Sequence, residues 1–192
     1  MHRYRPVVTR ALLALTALTA VTALVFAQSP AASAATAALR EIHDPGRVTY
    51  SIRMSNCHFR DSCQLPDARC TPGSVDPAVS QKTIKSTICK TGWTATVRPP
   101  ESQTEHAKYY VAYPAYHVAH SAKSELDHLV PLELGGSNDI TNLWPEVGKI
   151  PNPKDTVENA LKRGVCAGKI SLTAAQNAIA ANWTTARAKL HV

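Results

Sequence analysis

Three residues in the second half of the chain carry the side chains of a metal-assisted hydrolytic site. Asp127 and His128 are adjacent, and Asn142 follows them beyond a turn at Gly135 and Gly136. A carboxylate can bind a divalent cation, a neighbouring imidazole can take a proton from water, and an amide can fix the orientation of the imidazole. The pattern therefore predicts His128 as a general base and Asp127 as a metal ligand.

The same segment resembles the HNH endonuclease family. The resemblance is carried by the Asp127–His128 pair, Pro131, the Gly135–Gly136 turn and the Asn142–Leu143 pair. Residues 125–146 are also similar to a group of small secreted actinobacterial HNH-type proteins. That longer similarity continues at Lys154, Asp155, Glu158, Val165, Cys166 and Gly168, and more weakly at residues 70–73, 87–89 and 97–100. It covers roughly the C-terminal half of the chain.

The resemblance implies a ββα-metal module. A strand would lead to Asp127 and His128, a second short strand would run through Asn142 to Trp144, and a helix would start at Pro153. The chain is then expected to be a small disulfide-stapled α+β protein with a second helix after the module. Its predicted organisation is a signal peptide at 1–34, an N-terminal disulfide-containing region at 35–100 and an HNH-like nuclease module at 101–192.

Two asparagines compete for the role of holding the catalytic histidine. The resemblance places Asn142 at the middle asparagine of the motif, which the family uses to hold the histidine loop. Asn138 is the competing candidate, but it lies in segment 135–139, whose composition is typical of a turn. We therefore predict His128 and Asn142 as the catalytic pair.

The chain departs from the family at the third element of the motif, where many HNH proteins have a histidine ligand on the helix. No histidine occurs between His128 and His191. Asp155 is the first candidate for the second metal ligand, followed by Glu158 and Asn152, because these side chains would present oxygen at the start of the helix. The alternative roles of Asp155 are helix capping and dipole compensation. Oxygen ligands favour Mg²⁺ or Mn²⁺, and Zn²⁺ is a further option.

These residues and the resemblance together predict a secreted, metal-dependent endonuclease. It would hydrolyse phosphodiester bonds in DNA, with RNA as a second substrate, at low sequence specificity. The alternative is a non-catalytic extracellular or wall-associated binding protein on a degenerate HNH scaffold, which the absent helix histidine favours. Metal-dependent turnover would separate the two hypotheses. An immunity or inhibitor protein is left open as a partner.

The N-terminus has the composition of a Sec-type signal peptide. Arg3, Arg5 and Arg10 precede an apolar run at 11–27, and a small-residue cleavage sequence ends at Ala34. We predict cleavage after Ala34 and secretion, with no stable membrane association afterwards. An uncleaved membrane anchor is the alternative, because the apolar run is long for a signal peptide.

The mature chain would be modestly basic. Removal of residues 1–34 leaves 18 Lys and Arg residues against 14 Asp and Glu residues, a formal charge of +4. Such a charge favours association with polyanions, in agreement with a nucleic-acid substrate. Lys154, Lys162 and Arg163 could contact phosphate or could be ordinary solvated residues of a helix surface. Glu133 and Glu146 are predicted to be solvated.

Five cysteines lie in the part predicted to be exported: Cys57, Cys63, Cys70, Cys89 and Cys166. An oxidising compartment makes disulfides the expected state, and the odd number leaves at least one thiol over or pairs it between chains. A bridge from Cys70 to Cys89 is preferred, and Cys166 could instead tie the C-terminal helix to the N-terminal half. A zinc knuckle that includes His58 is the functional alternative, although its spacings are wider than usual.

Periodicity and helix-end signals predict the remaining elements. A short strand is expected at 48–52, and a helix at 77–88 with three apolar residues directed inward. Asn152 is predicted to cap a helix that begins at Pro153 and ends near Gly168. Four tyrosines before the motif are expected to pack on the domain rather than stack on bases: Tyr109, Tyr110, Tyr113 and Tyr116.

Overall fold

The computed structural model describes Met1, residues 38–44 and residues 46–192. The predicted signal peptide and its cleavage site therefore lie outside the described residues, apart from Met1. Residues 38–44 and 46–192 belong to the same structural unit. Within these ranges, no helix combines the length and the apolar composition that are needed to cross a bilayer.

Short strands and helices are mixed along the chain, which confirms the predicted α+β class. The strands are β1 (Arg40–Glu41), β2 (Ser74–Val75), β3 (Ser124–His128) and β4 (Leu143–Val147). The helices are α1 (Trp93–Val97), α2 (Glu101–His106), α3 (Tyr113–Ala115), α4 (Pro153–Cys166) and α5 (Leu172–Leu190), with a π-helical segment (Ala107–Ala112) joining α2 to α3. Two 3-10 helices, Leu132–Leu134 and Ile140–Asn142, lie between β3 and β4. The order of β3, β4 and α4 is thus strand, strand, helix.

Strands β3 and β4 form an antiparallel pair that sets the directions of the two central site residues. Asp127 lies opposite Trp144, and His128 lies opposite Leu143. Successive side chains on a strand point to opposite faces. Asp127 and His128 therefore differ in what they reach: both line one cavity, and His128 also lines a second. Trp144 and Leu143 are buried and anchor both positions to the core.

Helix α4 begins as its sequence predicts. The Asn152 side chain accepts a hydrogen bond of 3.0 Å from the backbone N–H of Lys154, and Pro153 occupies the first helical position. Asp155 lies in the first turn, and Gly168 follows the helix with a φ of +71°. Asparagine caps and a glycine in the left-handed region are the expected signals at these ends. The predicted cap and stop are both confirmed.

The core lies where the β3–β4 pair meets the last two helices. Trp144 on β4, Leu161 on α4 and Ile179 on α5 are completely buried. Met54 and Ile88, from the preceding half of the chain, join the same apolar cluster. Burial of each such side chain contributes roughly 1.5–3 kcal/mol. The packing places α4 against α5 and against the 3-10 helix at Leu132–Leu134.

The predicted helix at 77–88 is wrong, although its three inward residues are buried. The segment forms successive turns instead. The hydroxyl groups of Thr83 and Thr87 donate to local carbonyls, at 2.9 Å to Ala78 O and 2.8 Å to Thr83 O. Such bonds give the backbone an alternative to the helical pattern. The predicted strand at 48–52 is reduced to a single bridge between Thr49 and Asp139.

Two disulfides staple the fold, and the preferred pairing was wrong. Cys70 is bonded to Cys57 rather than to Cys89. Cys89 is bonded to Cys166, with a Cα–Cα distance of 5.6 Å, so the alternative that ties the C-terminal helix to the N-terminal half is correct. Cys63 is exposed and free. Because Cys57 and Cys70 are oxidised, the zinc knuckle has lost two of its thiolates.

Candidate active site

His128 ends β3 and lies between two cavities. The first has a volume of about 500 Å³ and is lined in part by Arg98, Tyr109 and Asn138. The second has a volume of about 360 Å³, and five acidic side chains are among the twelve residues that line it. Arg98 and His128 line both. The half-buried imidazole is therefore reachable from two sides.

The imidazole of His128 has one nitrogen engaged and one open. Nε2 lies 3.0 Å from Asn138 Oδ1. No hydrogen bond to Nδ1 occurs among the described residues. Burial lowers the pKa of His128 to about 4, although the neighbouring Asp127 carboxylate favours the charged ring. The ring is therefore neutral at pH 7, in the form that can accept a proton.

Asn138, and not Asn142, is the asparagine that contacts the histidine. Among the described residues, Asn142 makes no hydrogen bond to the imidazole. Its buried amide accepts from Val130 N at 2.9 Å, and donates to Val130 O at 2.9 Å and to Ser137 O at 2.8 Å. Asn142 thus ties the segment just after His128 to the glycine turn. The composition around Asn138 is typical of a turn, so the sequence favoured a structural role for this residue and gave no sign of its contact with the ring.

Asp44 lies behind Asn138 and was missed in the sequence. This buried carboxylate accepts hydrogen bonds from Asn138 N at 2.6 Å and from Asn138 Nδ2 at 2.5 Å. The two residues are 94 positions apart, and Asp44 stands in a segment that reads only as a turn. No local pattern could have indicated the contact.

Lys154 is the main electrostatic feature of the site, and the prediction of a surface lysine was wrong. Its side chain is fully buried. The ammonium donates to Asp127 Oδ2 at 2.7 Å, to His128 O at 2.7 Å and to Glu158 Oε1. Burial favours the neutral amine, but the Asp127 and Glu158 carboxylates raise the pKa of Lys154 above its ordinary value. The lysine therefore stays charged and fastens α4 to the end of β3.

Two glutamates around Lys154 bind protons more tightly than usual. Glu146 is almost completely buried, so its predicted solvation was wrong. Burial, followed by the charge of Asp127, raises the pKa of Glu146 to about 9. Burial also raises the pKa of Glu158 to about 7. For Asp127 burial acts in the same direction, but the Lys154 ammonium holds the pKa of that carboxyl below its ordinary value. At pH 7 the Lys154 ammonium thus faces the ionised Asp127 carboxylate, a protonated Glu146 and a Glu158 that is only partly protonated.

Thermal stability without metal is expected to fall as the pH rises from about 5 to about 9. Glu158 and Glu146 have folded-state pKa values of about 7 and 9, above the ordinary 4.5, so the folded state holds protons that the unfolded state releases. Replacement of Glu146 by Gln removes one of these protons and should flatten the upper part of the curve. Tm measured across this range in chelator checks it, with exposed Glu101→Gln as control. Parallel curves for wild type and Glu146→Gln would contradict the assignment.

The predicted metal ligands Asp127, Asp155 and Glu158 all line the acidic cavity, together with Glu125 and Glu133. Glu133 Oε2 is buried and has no hydrogen-bond partner among the described residues. Carboxylate oxygens are the donors that hard divalent cations prefer, so the chemistry of this cavity fits Mg²⁺ or Mn²⁺. No three Asp, Glu, His or Cys side chains in ranges 38–44 and 46–192 already converge as a ligand set. A cation here would compete with Lys154 for Asp127 and Glu158.

The larger cavity on the other side of His128 has a different character. Arg98, in extended backbone before two prolines, and Lys108 supply positive charge, and Glu101 and Glu105 line the same cavity with two carboxylates. Tyr109 supplies an aromatic face. The predicted packing role holds for Tyr113 and Tyr116, which are buried, whereas Tyr110 is exposed. Cationic and aromatic groups beside a neutral histidine suit a phosphate and an attached ring.

Comparisons with protein families, with curated proteins and with solved structures each gave no match.

Proposed function

We propose that this chain is an exported, metal-dependent phosphodiester hydrolase acting on nucleic acid, with DNA as the favoured substrate. The observation that carries the proposal is the position of His128. A neutral imidazole, held at Nε2 and open at Nδ1, stands between a carboxylate-lined cavity and a cavity with cationic side chains. Hydrolysis of a phosphodiester requires a base for water next to charge neutralisation for the phosphate. The HNH resemblance supports the same chemistry.

Each side chain has a part in this proposal. His128 Nδ1 takes a proton from the attacking water, because it is the nitrogen without a hydrogen bond in the described part of the chain. Arg98 lines both cavities and neutralises the phosphate, for which a planar guanidinium is well suited. Lys108 and Tyr109 contact the adjoining nucleotide. Asn142 keeps the loop after His128 in place through Val130.

Asp127, Asp155 and Glu158 would hold the divalent ion, with Mg²⁺ or Mn²⁺ favoured over Zn²⁺. The bound ion supplies charge stabilisation for the phosphate and the leaving oxygen. The carboxylate lining of the cavity and the unpartnered oxygen of Glu133 support this proposal.

Export is supported by the covalent structure. Disulfides such as Cys57–Cys70 and Cys89–Cys166 persist in oxidising compartments and are rare in the cytosol. The Arg-containing apolar segment at 1–34 has the composition of a signal peptide. Both observations agree with secretion.

The function is tested by degradation of supercoiled plasmid and single-stranded DNA by the oxidised chain 35–192. We expect cutting with Mg²⁺ or Mn²⁺ that chelator abolishes and that His128→Ala lacks. His58→Ala is the matched control, because that histidine is exposed and lines neither cavity. Equal cutting by His128→Ala and His58→Ala would rule out His128 as the base.

The second hypothesis is a binding protein without turnover, and Lys154 is the observation that favours it. Its ammonium already engages two of the three predicted metal ligands, Asp127 and Glu158. Such a protein would bind DNA in chelator and cut nothing with any of the three metals. Metal-dependent cutting removes this hypothesis.

A further inference from the structure

The side-chain amide of Asn138 is held from three directions. Its Nδ2 lies 2.5 Å from Asp44 Oδ1 and 3.0 Å from the carbonyl oxygen of Val97. Its Oδ1 lies 3.0 Å from His128 Nε2. The backbone N–H of the same residue donates to Asp44 Oδ2 at 2.6 Å. Both carboxylate oxygens of Asp44 thus accept hydrogen bonds from Asn138.

The chemistry of these partners allows one orientation of the amide. An ionised carboxylate and a backbone carbonyl accept hydrogen bonds and cannot donate. Both therefore require the NH₂ end of Asn138, and the Oδ1 end must face His128. An oxygen without hydrogen can only accept, so His128 Nε2 must carry the proton of the neutral ring. The lone pair is then on Nδ1.

A purely structural role, in which Asp44 only joins the N-terminal segment to the turn at Asn138, explains this residue poorly. A buried carboxylate is costly to desolvate, and burial raises the pKa of Asp44 to about 6. Asp139 already joins the same turn to the N-terminal half, through Thr49 Oγ1 at 2.8 Å and Ser51 N at 3.0 Å. A second buried acid is not needed for that purpose. What distinguishes Asp44 is that it hydrogen-bonds the Asn138 amide that faces the histidine.

We propose that Asp44 is a positioning residue for His128: acting through Asn138, it fixes the tautomer whose Nδ1 is free to take a proton. The catalytic consequence rests on the proposed function, but the tautomer does not. The arrangement is an acid, an amide and an imidazole in series. A carboxylate that orients an imidazole and selects its tautomer serves the same purpose in serine hydrolases without the intervening amide.

The tautomer can be read directly by NMR. Long-range ¹H–¹⁵N correlation of the ¹⁵N-labelled chain 35–192 at pH 7 should show His128 as a single Nε2–H form. Asp44→Asn keeps one acceptor oxygen but replaces the other with a donor, so one of the two Asn138 contacts is lost. The hold on the NH₂ end of Asn138 weakens, and part of the Nδ1–H form should appear. Asp139→Asn, a change to an equally buried neighbouring acid, should leave the tautomer unchanged. An unaltered tautomer in Asp44→Asn would overturn the proposal. Should that variant fail to fold, Asp44→Ala, which removes the buried charge, takes its place.

Activity provides the second readout. Asp44→Asn should lower kcat by roughly ten- to a hundredfold with little change in KM, by analogy with the loss found when the hydrogen-bond partner of a metal-ligating histidine is removed. Because Asp44 acts through Asn138, the double variant Asp44→Asn with Asn138→Ala should be no slower than Asn138→Ala alone. Losses that multiply would show that Asp44 acts independently, against the proposal. A wild-type chain that cuts no DNA would defeat the proposed function, while the NMR result would still decide the role of Asp44.

Discussion

Replacement of Lys154 by methionine is expected to lower the free energy of unfolding by about 3–5 kcal/mol at pH 7. The ammonium is fully buried and contacts Asp127, Glu158 and the carbonyl of His128. Methionine fills similar volume but leaves the carboxyl groups without a counter-charge. Removing one partner of a buried ion pair costs more than the pair itself contributes, because the remaining charge stays desolvated.

Chemical denaturation followed by tryptophan fluorescence measures this loss. Lys162→Met is the matched control, since it removes a lysine from the same helix whose partner, the partly exposed Glu133, lies 3.5 Å away. A long ion pair that keeps partial access to solvent contributes about 0–1 kcal/mol. A loss for Lys154→Met no larger than that for Lys162→Met would show that the buried cluster is not electrostatically coupled. The penalty should also shrink at low pH, where the carboxyls are neutral.

Removal of the Cys89–Cys166 disulfide by a double serine replacement is expected to have an effect of similar size. The bond joins residues 77 positions apart. In the chain-entropy model a loop of that length restricts the unfolded state by about 4.5 kcal/mol, with measured values usually at about 2–5. The bond also links the turn segment before α1 to the end of α4, so its loss would loosen the helix that carries Lys154.

The shorter disulfide provides the comparison. Cys57 and Cys70 are separated by 13 positions, for which the same model gives about 3 kcal/mol. Denaturation of the two double-serine variants under identical conditions should place Cys89–Cys166 as the more stabilising bond. The reverse order would show that native-state packing, rather than loop length, sets the contribution of each disulfide.

Local signals in the sequence were sufficient for some elements. The Asn152 cap, Pro153 and the glycine after α4 act through their own backbone angles and nearest hydrogen bonds, so the start and end of that helix could be predicted. The strand, strand, helix order was instead what the HNH resemblance implied. The segment at 77–88 was mispredicted, because its hydroxyl side chains satisfy the backbone in turns while keeping the apolar residues inward.

Contacts between distant segments could not be predicted in this way. Nothing near Asp44 indicates a partner 94 residues away, and nothing near Cys57 excludes Cys89 as a partner for Cys70. In the sequence, Lys154 is indistinguishable from a solvent-exposed lysine on an amphipathic helix. Its burial follows only from the packing of α4 against the end of β3, where Asp127 is already present. The electrostatics of the site thus arise from tertiary structure.

Because Lys154 is completely buried, the chemical reactivity of its amine would report how often α4 separates from β3. Amine-reactive reagents modify lysines that meet solvent, and this side chain meets none while α4 lies against β3. Acylation at that position therefore requires a local or global separation of helix and strand, in the manner of amide hydrogen exchange. The rate at which the Lys154 peptide gains the mass of the reagent would measure how often α4 separates from β3. No probe has to be introduced into the protein beforehand.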